Sequence, residues 1–172
     1  ASFLIKMDNR PLLILCFFLI AQSYKLMALE KRAELPQRIE LQKWEFKRAG
    51  DHPWYPAVVP GCTHLSLLEN KLIPDPFFGD NEKKLQWIEH ENWEYRSKFD
   101  VAQNQLQQQK VQLVFDCLDT YAEVYLNGQL ILKADNMFRK WEVEVKDYLK
   151  LEGNELSIVF LAVEAIENQK IK

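Results

Sequence analysis

The sequence predicts an all-β domain, a sandwich or barrel of short antiparallel strands. Three observations carry that prediction. Short runs of alternating polar and apolar residues recur between about 93 and 163, each bounded by turn residues. One boundary is Asn127-Gly128, a dipeptide suited to a type I′ hairpin turn, where both central residues take positive φ. Aromatic residues make up 12% of the chain, and such side chains favour the half-buried surface of a sheet. The 172 residues, 48% hydrophobic and 27% charged, suit one globular domain with a sizeable core.

The N-terminus reads as a targeting segment. Lys6 and Arg10 precede an apolar run over 11–21, too short to span a bilayer as a helix. A basic flank, a short apolar run and small residues at Ala21 and Ser23 make the pattern of a signal peptide cleaved after Ser23. Met7 then serves as the start, with residues 1–6 upstream of it. The predicted division is an extension and signal peptide over 1–23, a linker over 24–37 and a β-sandwich over 38–172. It implies a secreted or periplasmic protein, with the lysosome as the alternative, and no stable membrane anchor.

Along the sandwich, 38–46 reads as a first strand and 54–59 as a second, closed by the turn pair Pro60-Gly61. Leu65, Leu67, Leu68 and Leu72 recur at helical spacing, which predicts a short helix over 64–73. Pro74-Asp75-Pro76 ends it, since proline lacks the N–H and restricts its predecessor. A second helical or turn segment follows over 81–88. Trp93, Tyr95, Ser97, Phe99 and Val101 share one face of a strand over 93–101. A polar loop over 103–109 leads to 110–115, with Val111, Leu113 and Phe115 on one face. Strands over 121–126 and 129–133 flank Asn127-Gly128. Trp141, Val143 and Val145 alternate over 141–145, and Gly153-Asn154 turns the chain into a last strand over 156–163.

The formal net charge is −3, with Lys and Arg scattered among Asp and Glu. A nucleic-acid surface needs clustered cations, so that partner is excluded. Of the histidines His52, His64 and His90, only His64 has a cysteine close by, Cys62. Two ligands fall short of the four of a structural zinc site, so no metal is expected, and no cofactor. No Gly-x-Ser-x-Gly elbow and no Gly-rich phosphate loop is present. Cys62 and Cys117 lack a Cys-x-x-Cys spacing and read as two free, buried thiols.

Glycoside hydrolysis needs two carboxyl groups flanking the scissile bond. Asp75, Asp80, Glu82, Asp116 and Asp119 qualify by residue type. Gly79-Asp80-Asn81-Glu82 looks like the surroundings of a glycosidase acid, yet it precedes a short helix instead of ending a barrel strand. Glu82 is therefore not assigned catalysis, and Asp80 is read as a helix cap. Asp116 and Asp119 are read as satisfying local turns.

Five stretches, in order, carry a resemblance. They are Trp54-Tyr55-Pro56-Ala57-Val58-Val59-Pro60-Gly61-Cys62-Thr63-His64, then Ile73-Pro74-Asp75-Pro76-Phe77-Phe78-Gly79-Asp80-Asn81-Glu82 running into Leu85-Gln86-Trp87-Ile88, then Trp93-Glu94-Tyr95-Arg96, then Leu118-Asp119-Thr120-Tyr121-Ala122-Glu123-Val124-Tyr125-Leu126-Asn127-Gly128, and Asp135-Asn136-Met137-Phe138-Arg139-Lys140-Trp141. Together they resemble the N-terminal domain of family 2 β-mannosidases over about residues 44–163. The resemblance implies a jelly-roll, galactose-binding-like sandwich with short helices after the second strand. In that family it precedes an immunoglobulin-like domain and a (β/α)8 barrel. The barrel carries both glutamates of a retaining mechanism that releases terminal non-reducing β-D-mannose.

Neither glutamate is carried over to this chain, so no catalytic residue and no firm substrate-binding residue is assigned. The family's Trp-Asp-Trp element, which sends an aspartate to the substrate, is also missing, so the sandwich is expected to be incomplete at its C-terminal side. Cys62 and Cys117, where glycine usually precedes Leu-Asp-Thr, depart from the family pattern. Asn81, Glu82 and Arg139 are the candidate supports at the mouth of a substrate pocket. The implied partners are a β-mannoside oligosaccharide, bound through domains outside this chain, and those downstream domains themselves. Two alternatives are a free-standing carbohydrate-binding module and a part of another family 2 exo-glycosidase, such as an exo-β-glucosaminidase or a β-galactosidase. Burial of Trp87, Trp93 and Trp141 would weaken the binding module.

Overall fold

A computed structural model describes residues 3–8, 37–119, 121–163 and 166. Two antiparallel sheets enclose one core, which makes the expected all-β sandwich. The larger sheet takes Trp44–Arg48 (β3), Tyr55–Pro56 (β4), Trp93–Phe99 (β5), Ala122–Leu126 (β7), Gln129–Ala134 (β8) and Asn154–Phe160 (β10), in the order β4-β3-β5-β10-β7-β8. The smaller takes Phe3–Asp8 (β1), Arg38–Glu40 (β2), Lys110–Phe115 (β6) and Trp141–Glu144 (β9), in the order β2-β1-β6-β9. Between β4 and β5 run the short helices Thr63–Glu69 (α1) and Asn81–Lys84 (α2) and a 3₁₀ turn over Gln86–His90.

Side-chain alternation decides which face turns inward. Trp93, Tyr95 and Ser97 of β5, Ala122, Val124 and Leu126 of β7, and Leu156 and Ile158 of β10 are all buried. The smaller sheet supplies Val111, Leu113 and Phe115 of β6. Phe46 at the centre is fully buried and packs against Tyr55, Trp93 and Tyr95, with ring centroids 6.4, 6.1 and 5.7 Å away. Burial of one such side chain is worth about 1.5–3 kcal/mol. At the β7–β8 hairpin Asn127 and Gly128 have φ of 52° and 80°, the two positive values of the expected turn.

Three local expectations are corrected. The single strand over 38–46 splits into β2 and β3, which lie in different sheets. The chain breaks at Leu41, whose carbonyl oxygen accepts a 2.8 Å bond from the Trp44 indole and so anchors the crossing. The strand over 54–59 shrinks to the two residues of β4, an edge position that tolerates Pro56 because no ladder N–H is needed there. The polar loop over 103–109 contains a one-turn helix, Gln103–Leu106 (α3). The Gln105 side-chain oxygen accepts from the Ala102 N–H at 2.8 Å and closes that turn.

Part of the N-terminal stretch also enters the fold. Within the predicted extension and signal peptide, Phe3–Asp8 forms β1 and lies between β2 and β6. It pairs from Phe3 opposite Phe115 to Asp8 opposite Lys110, and Ile5 is buried opposite Leu113 and Ile39. Every second residue of this stretch is apolar, a strand pattern that the basic flank of a signal peptide also accommodates. The apolar run over 11–21 and almost all of the predicted linker lie outside the described residues.

Candidate functional site

One end of the sandwich carries a cleft of about 540 Å³. Besides β5, five chain segments build it: Val59 to His64 at the start of α1, Ile88 to Glu91 at the end of the 3₁₀ turn, Cys117, Asp119 and Tyr121 after β6, Met137 after β8, and Phe160 to Val163 at the end of β10. Trp93 and Tyr95 form its floor. A smaller cleft of about 290 Å³, bordered by Pro76, Glu82, Leu85 and Gln86, shares His64, Glu89 and His90 with the first. The two clefts therefore adjoin at these three residues.

The floor of the larger cleft is rigid. The Tyr95 hydroxyl lies 3.1 Å from Thr63 Oγ1 at the start of α1. Burial pushes the Tyr95 phenol above the ordinary tyrosine range, against the opposing effect of its hydrogen bonds to Thr63 and Ser66. The Trp93 indole donates to the Ile88 carbonyl oxygen at 2.9 Å, and the Val58 N–H donates to Ser66 Oγ at 3.1 Å. Gly61 fits the cleft wall because a Cβ there would lie 2.5 Å from the Val58 carbonyl oxygen.

Two loops border the clefts, one at Pro76 and one at Met137, and both use the same device. In the first, Asp75 Oδ1 accepts from the Phe77 N–H at 2.9 Å, and the Asp75 carbonyl oxygen accepts from the Phe78 N–H at 3.2 Å and from Asn81 Nδ2 at 3.0 Å. In the second, Asn136 Oδ1 accepts from the Phe138 N–H at 2.8 Å, and the Asn136 carbonyl oxygen accepts from the Trp141 indole at 3.3 Å. Cys117 Sγ donates to the Met137 carbonyl oxygen at 3.2 Å. These are Asx turns, in which a side chain two residues back stands in for a backbone acceptor. Each turn holds a phenylalanine out into solvent.

Three carboxylates line the larger cleft: Glu89, Glu91 and Asp119. Glu89 and Asp119 are exposed, and Glu91 pairs with Arg48 at 3.3 Å. None sits in the apolar burial that a glycosidase acid requires. Among the described residues no group of three or more His, Cys, Asp or Glu is arranged to hold a metal ion. Among them, too, no helix is long and apolar enough to cross a membrane.

Of the three candidate supports, Asn81 and Glu82 are neighbours on α2 and Arg139 follows the second loop. Asn81 is committed to its loop through Asp75, Glu82 borders the smaller cleft, and the Arg139 guanidinium lies over the Trp141 ring at 4.3 Å. Asp80 caps nothing, because α2 is a single turn without a side-chain cap bond, and its carboxylate faces Lys83 at 3.3 Å. Cys62 and Cys117 are free thiols as expected, but Cys62 is exposed and Cys117 only partly covered, since both lie at the open cleft. Trp93 is buried, Trp141 is half-buried, and Trp87 is exposed with its ring 6.0 Å from Trp93. Sequence reasoning missed Tyr95 as the floor and Phe77, Phe78 and Phe138 as the rim. The Asx-x-Phe spacing of both loops was the available signal for the rim.

The family model described as glycosyl hydrolase 2 galactose-binding domain-like matches residues 44–172. The chain belongs to that family. Over 122 residues it is 45% identical to β-mannosidase B of Thermothelomyces thermophilus, a match covering 69% of this chain and 14% of the relative. It is 36% identical over 117 residues to the β-mannosidase of Rattus norvegicus, covering 68% and 13%. Among solved structures it is similar to the β-D-mannosidase from Dictyoglomus thermophilum, with 47% identity and a TM-score of 0.71 over 75% of this chain and 16% of that one. The chain thus spans only a small part of the length of these relatives. As a family 2 galactose-binding-like domain it has the jelly-roll sandwich the resemblance implied. Its short helices follow β4, as expected for the segment after the second predicted strand.

Proposed function

We propose that this chain is the N-terminal accessory domain of a β-mannosidase. The parent enzyme releases terminal non-reducing β-D-mannose with retention of configuration, through two glutamates in a barrel outside this chain. The observation that carries the reading is the likeness to a solved β-D-mannosidase in both sequence and backbone. The cleft agrees with it, since its carboxylates are exposed or ion-paired. The substrate is a β-mannoside oligosaccharide bound through the downstream domains, and the sandwich contributes by packing on them. Asn81, Glu82 and Arg139 act, on this reading, only by shaping loops near the mouth of the site. Of the three tryptophans whose burial would weaken a free-standing carbohydrate-binding module, Trp93 is buried and Trp141 half-buried beneath Arg139, whereas Trp87 is exposed, so that alternative is weakened at Trp93 and Trp141 alone.

Export to a secreted or periplasmic location belongs to the same proposal and rests on the apolar run behind Lys6 and Arg10. An assay with p-nitrophenyl β-D-mannoside tests the catalytic reading. The 172-residue chain alone should show no turnover. The native polypeptide that contains it should hydrolyse the β-mannoside. Hydrolysis of a β-glucosaminide or β-galactoside in preference to the β-mannoside would sink the reading.

A further inference from the structure

We propose that Asn127-Gly128 is a deamidation site that the folded turn holds shut, so that reaction there marks copies in which the turn has opened. Asn127 is followed by glycine, whereas each other asparagine of the chain is followed by a residue with a side chain. The reaction needs the Gly128 backbone nitrogen to reach Cγ of Asn127. Gly128 is exposed, and a Cβ on it would meet no atom of the described residues within 4 Å, so solvent and base have open access to that nitrogen. Once the nitrogen has lost its proton to base it bonds to Cγ, and Nδ2 takes up a proton and leaves as ammonia. Water then opens the succinimide ring at either carbonyl, which gives aspartate or isoaspartate. Nothing is oxidised or reduced, and water is the one co-reactant.

The bonds on the Asn127 side chain oppose this reaction. Nδ2 donates to the Tyr148 carbonyl oxygen at 2.7 Å and to Asn154 Oδ1 at 3.0 Å, and Oδ1 accepts from the Glu155 N–H at 3.0 Å. Cγ is thereby tied to the segment over 148–155, and it turns toward Gly128 only when the turn opens locally. The turn also rejects the product. Asn154 is fully buried and its amide polarity is fixed, since Oδ1 accepts from the Lys150 N–H and Nδ2 donates to the Lys150 carbonyl oxygen. A carboxylate at 127 would set a charged oxygen against two acceptors, the Tyr148 carbonyl oxygen and Asn154 Oδ1, and neither can offer a proton. Isoaspartate would lengthen the backbone of a two-residue turn whose flanks, Leu126 and Gln129, are register partners. A copy modified while open is therefore hindered from closing, which is loss by chemical change of the opened chain.

Peptide mapping with isoaspartate detection tests the proposal. The 172-residue chain is held at mildly alkaline pH in native buffer and in concentrated guanidinium chloride. Asn127 should deamidate more than an order of magnitude faster in the denaturant, and faster there than Asn70 or Asn136. Equal rates in the two solvents would show that the fold does not restrain the site. No reaction in the denaturant would remove it as a site. In native buffer Asn154→Ala should raise the Asn127 rate several-fold while exchange of the fully buried Val124 and Ile158 amides stays slow, which separates release of the turn from global unfolding. An unchanged rate in that folded variant would overturn the restraint by Asn154. Should the variant not fold, the comparison of solvents on the unaltered chain decides by itself. Asn127→Asp should lower the guanidinium midpoint at neutral pH, and an unchanged midpoint would overturn rejection of the product.

Discussion

The Asn127 side-chain amide donates to Oδ1 of the fully buried Asn154 at 3.0 Å and ties together two turns 27 residues apart. Asn154 also accepts from the Lys150 N–H at 2.8 Å and donates to the Lys150 carbonyl oxygen at 2.7 Å. Asn127 donates to the Tyr148 carbonyl oxygen at 2.7 Å and accepts from the Glu155 N–H at 3.0 Å. The pair replaces backbone partners that neither turn could supply alone. Asn154→Ala should therefore leave the Lys150 peptide groups short of partners and cost about 1–3 kcal/mol. Urea unfolding of the two proteins checks this, and a loss within error would mean that water takes over the bonds.

Gly61→Ala should destabilise the domain by about 1–3 kcal/mol, the range for forced overpacking. The cause is contact with the Val58 carbonyl oxygen and not φ, since Gly61 is absent from the positive-φ residues. Thermal unfolding measures it, and an unchanged midpoint would show that the Val58 segment can move aside.

The Glu123 carboxyl is held below the ordinary carboxylate range, first by its hydrogen bond from Lys133 at 2.7 Å and then by that from Tyr125 at 2.6 Å. As pH falls, the unfolded chain takes up its proton at Glu123 first. The stabilisation is therefore complete above the ordinary carboxylate range and disappears as pH falls through the depressed value. Lys133→Met should move the Glu123 titration upward in a carbon-detected NMR series and cost only about 0.2–1 kcal/mol, as cross-strand pairs do. An unmoved titration would remove Lys133 as its cause.

Tyr95 should titrate on the opposite side. Its phenol is raised by burial, so the unfolded chain loses that proton first as pH rises. Stability from a neutral Tyr95 is thus complete below the ordinary tyrosine value and is lost as pH climbs toward the raised one. Ultraviolet titration of the chain and of Tyr95→Phe should differ only above about pH 10. A difference at or below that value would contradict the buried floor.

Ile5→Ala should cost about 2–5 kcal/mol, as for other buried isoleucines, because Ile5 is the side chain by which β1 enters the core. Guanidinium unfolding checks it. A change near zero would mean that β1 stays off the sheet in solution.

How far the sequence disclosed all this depended on whether the signal was local. The Asn127-Gly128 turn and the alternation of Trp93, Tyr95 and Ser97 are carried by adjacent residues, and both appear as expected. The switch of sheets at Leu41 depends on a bond from Trp44, and β1 on pairing with β6 more than a hundred residues away, so neither was visible in local pattern. The cleft is harder still. His64, His90, Asp119 and Leu161 come from four separate segments, and no spacing relates them. Phe77 and Phe78 face water, which their residue type alone does not disclose.

Cleavage after Ser23 would carry away the whole of β1. The strands on either side, β2 and β6, would then lie about 10 Å apart, twice the hydrogen-bonded spacing and too far to pair. On the proposal of export with cleavage after Ser23, maturation and sheet closure would be coupled in time. A copy processed before closure would need some other segment in the gap.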